Sequence, residues 1–351
     1  MSISELIFLN LLEGKKGDTT DFSPVQLASL YTNSAFLVTV MDFLKDELWL
    51  QKQEDKKYGQ VTSYKNFITP LFDDELEAVS FLSEFLVESG PSKLKDIKKR
   101  SKNIETKILE SIIDKAGSEQ KEFLIHSLNT MSDFFIKEEK DQEGRSQGMG
   151  HLGPNLYRTF DNLDDIFDLN YNLDQEMEYD HKTKERLYQR AGVGVQSGYS
   201  TILLALHQIN ADTGSTIVDL GSGYGRVGLV CSLVRPDLNF VGYEYVPHRV
   251  EISNNACEEL GLEDNLVFKV QDLSLQSFSI PVADIYYLYD PFSKETYEYV
   301  LDQILKISRQ KEITIVTKGN ANIWLRGLAE ENGWPSPTIV DEGNLCIFKS
   351  N

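Results

Sequence analysis

Cysteine is scarce: Cys231, Cys257 and Cys346 are the only three in 351 residues, and no two form a CxxC pair. That spacing argues against a disulfide framework or a zinc site and fits a reducing, cytoplasmic compartment. Positive charge is scarce as well, with 35 Lys and Arg against 55 Asp and Glu, a net charge of −20. A field of that sign repels phosphate backbones and anionic bilayers, so neither nucleic acid nor a membrane is expected as a partner. No window of about 18 apolar residues appears, so no membrane-spanning helix is expected. The first residues, MSISELIFLNLLEGKKGD, place Glu5 where a secretory leader carries Lys or Arg, and show no small-residue cleavage site. No leader is therefore expected. His181, His207 and His248 do not group with acids at ligand spacing, so no catalytic metal is expected.

What is present suffices for a folded core. Hydrophobic residues make up 41 % of the chain, enough for two domains or one domain with a large appendage. Up to about residue 140 the apolar residues recur at helical steps. Leu76, Val79, Leu82 and Phe85 predict one helix, stopped by Gly90-Pro91. Ile104, Ile108 and Ile112 predict another, stopped by Gly117, and EFLIHSLNTMSDFFIKEEK a third. The glycine-rich stretch KDQEGRSQGMGHLGPN predicts a boundary near residue 150. Residues 1–150 are thus expected to form a helical domain.

Two charge runs stand out. KLKDIKKRSKNIETK, from Lys93 to Lys107, is basic and reads as a solvated helix face. DNLDDIFDLNYNLDQEMEYD, from Asp161 to Asp180, holds eight acids and no Lys or Arg; it reads as a soluble connector over 151–184.

From about residue 185 the rhythm changes to strands alternating with helices. STIVDL, NFVGYEY, NLVFKV, ADIYYLY and EITIVTKG are apolar runs separated by helical patterns such as KETYEYVLDQILKISRQ. Such runs predict a doubly wound, mostly parallel sheet covered on both faces. PTIVDEGNLCIFKS predicts a closing β-hairpin that supplies one antiparallel strand.

The first of these strands runs into Gly221, Ser222, Gly223, Tyr224 and Gly225, after which a helix begins. A ligand at the carboxyl ends of a parallel sheet would meet this loop. Arg226-Val227 follows the last glycine where a phosphate loop needs Lys-Ser or Lys-Thr, and Arg226 occupies the sixth position of a would-be GxGxxG. Neither a phosphate loop nor a dinucleotide loop fits, which disfavours a nicotinamide-dependent oxidoreductase.

The motif that remains, VDLGSGYGR, with Asp219, Gly221, Gly223 and Gly225, resembles motif I of the class I S-adenosylmethionine-dependent methyltransferases. Three later strand ends agree with the resemblance. Glu244, 25 residues after Asp219, stands where the family places the acid that binds both ribose hydroxyls. Tyr245 follows it. Asp272, next to Leu273, stands where the family places an adenine-binding acid or amide. Asp290, Pro291 and Phe292 resemble a shortened [DN]-P-P-[YFW] motif of methyltransferases that act on amino nitrogens; the second proline is missing, and Pro291 also serves simply to end a strand.

The resemblance covers about residues 185–351. It implies S-adenosylmethionine as cofactor, with Asp219, Gly221, Ser222, Gly223, Gly225, Glu244, Tyr245, Asp272 and Leu273 around it. Asp219 either caps the loop or lies by the methionine end. Arg226 either clamps the methionine carboxylate or sits on a helix surface. Gln196, Ser197 and Tyr199, in GVGVQSGYS, are either candidates for a segment folded over the cofactor or part of a linker. The implied activity is methyl transfer, to a nitrogen of a protein lysine or a small amine, with Asp290 as hydrogen-bond and proton acceptor. The alternative is a protein that binds the cofactor without transferring the methyl and serves as an interaction module.

Overall fold

The computed structural model describes residues 3–15, 21–73, 76–145, 160–177, 196–289, 292–319 and 321–350. The chain divides into two compact units, Met1–Phe160 and Asp161–Asn351.

The first unit contains α1 (Ile3–Leu12), α2 (Pro24–Tyr58), α3 (Tyr64–Ile68), α4 (Ser83–Ser89), α5 (Leu94–Ile113) and α6 (Gly117–Arg145). Local chemistry sets the ends of α2. The Ser23 side chain accepts from the Gln26 N–H, the Gln26 side chain accepts from the Ser23 N–H, Pro24 fills the first turn, and Gly59 ends the helix in the left-handed conformation. α2 packs against α5 and α6, and stacked Phe36 and Phe134, 4.0 Å apart at the ring centroids, lie in that seam.

Contrary to the expectation from the sequence, part of α2 is long and apolar enough to meet the length-and-composition test for a membrane span. Thr32 and Ser34 interrupt the apolar run, but each hydroxyl donates to a carbonyl one turn back, so neither needs water. In the folded chain 72 % of that window is buried. Helix packing therefore accounts for its apolar character.

Two other helical expectations are corrected. Glu77–Leu82 is a 3-10 helix, interrupted at Val79, before α4 begins at Ser83. Leu76, Val79 and Leu82 recur every three residues, which is the 3-10 period, and all three are buried. Gly117 opens α6 instead of ending the preceding helix, which already stops at Ile113.

The second unit is a seven-stranded sheet. Its elements are α7 (Leu173–Glu176), α8 (Tyr199–Ile209), β1 (Thr216–Leu220), α9 (Arg226–Val234), β2 (Asn239–Glu244), α10 (Pro247–Glu259), β3 (Leu266–Val270), β4 (Ile285–Tyr289), α11 (Lys294–Ser308), β5 (Thr314–Lys318), α12 (Ala321–Glu331), β6 (Thr338–Val340) and β7 (Leu345–Lys349). The strand order is β3-β2-β1-β4-β5-β7-β6. Five strands are parallel, and β7 enters antiparallel between β5 and β6. The doubly wound sheet and the closing hairpin are as expected.

Alternation along the strands sorts the side chains. Val218, Leu220, Tyr286, Leu288, Ile315 and Phe348 pack with α11 and α12 in one core, leaving Asp219 and Tyr287 on the opposite face. At the amino ends, Asp284 accepts from the Thr216 N–H at 2.8 Å and from Lys311 at 2.5 Å, which ties the start of β4 to that of β1.

The expected connector boundaries fall outside the described residues. Within residues 161–177, however, the acidic stretch belongs to the second unit. The physical reason is that Asp164 and Asp174 are buried, each against an arginine of the sheet's helices.

Candidate functional site

The site is built at the carboxyl ends of β1 and β2. After Leu220 the chain turns through Gly221, Gly223 and Gly225, with φ of 99°, 56° and 77°. The N–H groups of Gly221 and Ser222 both donate to the Tyr243 carbonyl, at 2.8 and 2.9 Å, which straps the loop to the neighbouring strand. Gly225 has a second reason to be glycine. A Cβ there would lie 2.6 Å from Phe268 Cζ. Gly242 is constrained in the same way, because a Cβ would lie 2.5 Å from Phe268 Cδ1.

Glu244 ends β2 beside this loop. Its Oε2 accepts from the Gly223 N–H at 2.9 Å and its Oε1 from the Val246 N–H at 3.0 Å. Each carboxylate oxygen can accept a second hydrogen bond. Asp219, one residue before the end of β1, lies on the same side and is only 2 % exposed. Burial, reinforced by the charge of Glu244, pushes its carboxyl well above the ordinary range.

The remaining cofactor candidates are placed as follows. The Gln196 side-chain amide lies over Gly223, 3.2 Å from where a Cβ would stand. Ser197 Oγ lies 2.9 Å from Tyr287 Oη, so the segment before α8 covers the glycine loop. Tyr199 does not join that cover: it is fully buried and donates to Asp164 Oδ1 at 2.6 Å. Tyr245 is partly buried at the head of the β2–α10 turn. Asp272 Oδ1 accepts from the Ser274 N–H at 2.8 Å and from its hydroxyl at 2.6 Å, leaving Oδ2 outside that turn. Leu273 is buried in the sheet core.

Arg226 is not on a helix surface, one of the two places open to it in the sequence. It opens α9, is 1 % exposed, and faces Asp164. It also donates to Asp161 at 2.9 Å and to the Ser197 carbonyl at 3.0 Å, while its guanidinium lies 4.9 Å from the centre of the Tyr199 ring. Burial leaves the Asp164 carboxyl above its ordinary range, although Arg226 and the hydroxyls of Tyr171 and Tyr199 pull it down. The cover over the glycine loop is thus pinned by a buried ion pair. The sequence reading missed Asp164 and Asp174, since nothing in a run of acids tells a buried one from a solvated one.

At the neighbouring strand ends, Asp290 and Pro291 lie outside the described residues. Phe292 is buried, with its ring 5.1 Å from that of Tyr297 in an edge-on contact. Tyr289 and Lys318, paired in register at the ends of β4 and β5, lie at the rim, with the Lys318 amine 4.8 Å from the Tyr289 ring centre. Burial lowers the Lys318 pKa, against the pull of Asp341. Neither residue belongs to a motif that spacing alone could single out.

The strand order, the antiparallel β7 and the glycine loop facing an acid on the adjacent strand define a class I methyltransferase-type fold. No protein-family model matches the chain. A 55-residue stretch, 16 % of this chain, is 42 % identical to a ribosomal RNA small subunit methyltransferase G of Kineococcus radiotolerans, and the match spans 22 % of that relative's length. Among solved structures, the chain is similar to an RNA methyltransferase from Salinibacter ruber in complex with S-adenosyl-L-homocysteine: 19 % identity, 44 % of this chain, 92 % of that one, TM-score 0.34. It is also similar to a precorrin-6y C5,15-methyltransferase from Geobacter metallireducens, at 12 % identity over 44 % of this chain and 88 % of that one, TM-score 0.35. A human methyltransferase 10 domain containing protein is 14 % identical over 50 % of this chain and 90 % of that one, with a TM-score of 0.33.

Proposed function

We propose that the second unit binds S-adenosylmethionine at the β1–β2 rim and transfers its methyl group to an acceptor. One observation carries this reading: two buried carboxylates, Asp219 and Glu244, end adjacent strands on either side of a bent glycine backbone, and the proton affinity of Asp219 is raised by burial and by Glu244. Such a site favours a ligand that brings positive charge and hydroxyl donors together. A sulfonium nucleoside with an amino-acid tail has both. The donor set fits this group. Glu244 retains lone pairs for a ribose diol, Asp272 keeps one oxygen outside its turn, and Ser222 Oγ is buried with no hydrogen-bond partner among the described residues.

The cofactor supplies an activated methyl group when bound. The chain's own contribution is placement. Gly221 and Gly225 let the backbone bend close to the ligand, Glu244 fixes one end of it, and the Gln196–Ser197 cover excludes water.

The acceptor in this reading is a nitrogen, of a protein lysine or a small amine, aligned by Asp290 after the [DN]-P-P-[YFW] pattern. A second reading is an RNA base, favoured by the 42 % identity with the ribosomal RNA methyltransferase; it stands against the expectation from a net charge of −20. Incubation of the chain with methyl-labelled cofactor and cell extract, followed by separation of protein, RNA and small molecules, tests both. Label in protein or small amines supports the first reading and label in RNA the second. Cofactor binding without label in any fraction supports a silent interaction module.

A further inference from the structure

The reading of Glu244 as the ribose acid raises a local problem, because a buried arginine stands beside it. Arg249 Nη1 is 3.6 Å from Glu244 Oε1, and both side chains are 7 % exposed. A guanidinium has five donors in a flat fork that matches both oxygens of a carboxylate. Left with Glu244 as its sole acid, Arg249 would close on it bidentately and take the lone pairs that a diol needs.

The geometry shows why it does not. Arg249 Nε donates to Asp174 Oδ1 at 3.1 Å and Nη2 to Asp174 Oδ2 at 3.0 Å, a parallel two-bond fork. That fork uses one edge of the guanidinium and turns only Nη1 toward Glu244, outside hydrogen-bond reach. His248 Nε2, 2.9 Å from Asp174 Oδ1, holds the acid from another side. The Arg249 guanidinium also lies 5.6 Å from the ring centre of Tyr224 in the glycine loop, which limits its swing. Asp174 itself is 1 % exposed. Burial alone would raise its pKa, but the hydrogen bonds from Arg249 and His248 more than offset this and leave it lowered.

We infer that Asp174 is a positioning residue for the nucleoside site: it holds Arg249 away from Glu244, so that Glu244 keeps a compensating charge nearby while its oxygens stay open to a diol. The inference rests on the proposed cofactor reading. It also gives the acidic stretch a task, since Asp174 reaches the site from a segment that in sequence looks like a connector.

The test uses the full chain and isothermal titration with S-adenosylhomocysteine and with its 2′,3′-dideoxy analogue. Binding of S-adenosylhomocysteine to the unaltered chain checks the cofactor reading; its absence would remove that reading and the inference together. Given binding, Asp174→Asn is expected to weaken S-adenosylhomocysteine about tenfold, the scale of hydrogen bonds to a charged acceptor, and to leave the dideoxy analogue unchanged. Adding Arg249→Gln to Asp174→Asn is expected to return the affinity to within about threefold, as the intruding donor is gone. If Asp174→Asn alone does not fold, the double variant, which removes both charges, is compared directly with the unaltered chain. Equal loss for both ligands, unchanged affinity in Asp174→Asn, or a double variant as weak as the single one would overturn the inference.

Discussion

Replacing Asp164 by Asn tests the buried pair that pins the cover of the glycine loop. Arg226 and Asp164 are 1 % and 4 % exposed at their side chains. Removing one partner from a buried pair leaves the other desolvated, at a cost of about 3–5 kcal/mol. The lower end applies here, because Arg226 keeps Asp161, Tyr171 and the Ser197 carbonyl, and the asparagine oxygen still accepts. For a unit of this size about 3 kcal/mol lowers Tm by roughly 6–12 °C. The chain has three tryptophans, Trp49 in the first unit and Trp324 and Trp334 in the second. In a Trp49→Phe background, thermal unfolding followed by tryptophan emission therefore reports on the second unit. A shift below about 2 °C for Asp164→Asn would refute the account of this pair.

Three other outcomes are expected. Glu244→Ala should weaken S-adenosylhomocysteine by about 1–3 kcal/mol in a titration, and unchanged affinity would remove the ribose assignment. Asp219→Asn should stabilise the chain at neutral pH. An acid whose folded pKa lies above its unfolded value of 3.8 lends stability that is full below 3.8 and lost as pH rises through the folded value. The Tm gain of Asp219→Asn over the unaltered chain should therefore vanish near pH 3.8 and grow as pH rises; a gain independent of pH would contradict the burial of a charge there. Gly225→Ala, placing a Cβ 2.6 Å from Phe268 Cζ at a φ of 77°, should destabilise the second unit by about 1–3 kcal/mol in urea unfolding and weaken ligand binding with it.

The sheet was legible because parallel strands buried on both faces are written as apolar runs, and glycines at positive φ have few alternatives. The strand ends Asp219, Glu244 and Asp272 followed from that reading. The segment from Asp161 to Met177 was not legible. Its acids have no period, and the arginine that buries Asp164 lies 62 residues later, a pairing set by the tertiary fold. Likewise the steps of three at Leu76, Val79 and Leu82 suit two helix types, and only the packed chain selects the tighter one. Asp290 and Pro291 remain a proposal drawn from motif alone, with Phe292 turned into the core.

The strand order also constrains how the second unit can assemble as it is synthesised. β7 is the divider between β5 and β6, and Ser350 closes it by exchanging bonds with Ile313, its N–H donating to the Ile313 carbonyl and its hydroxyl accepting from the Ile313 N–H, each at 2.9 Å. Until residues 345–350 have left the ribosome, β5 is a bare apolar edge and β6 has no neighbour. A nascent chain stalled short of that point carries an open template for edge-to-edge aggregation, so chaperone dependence should fall sharply once those six residues emerge.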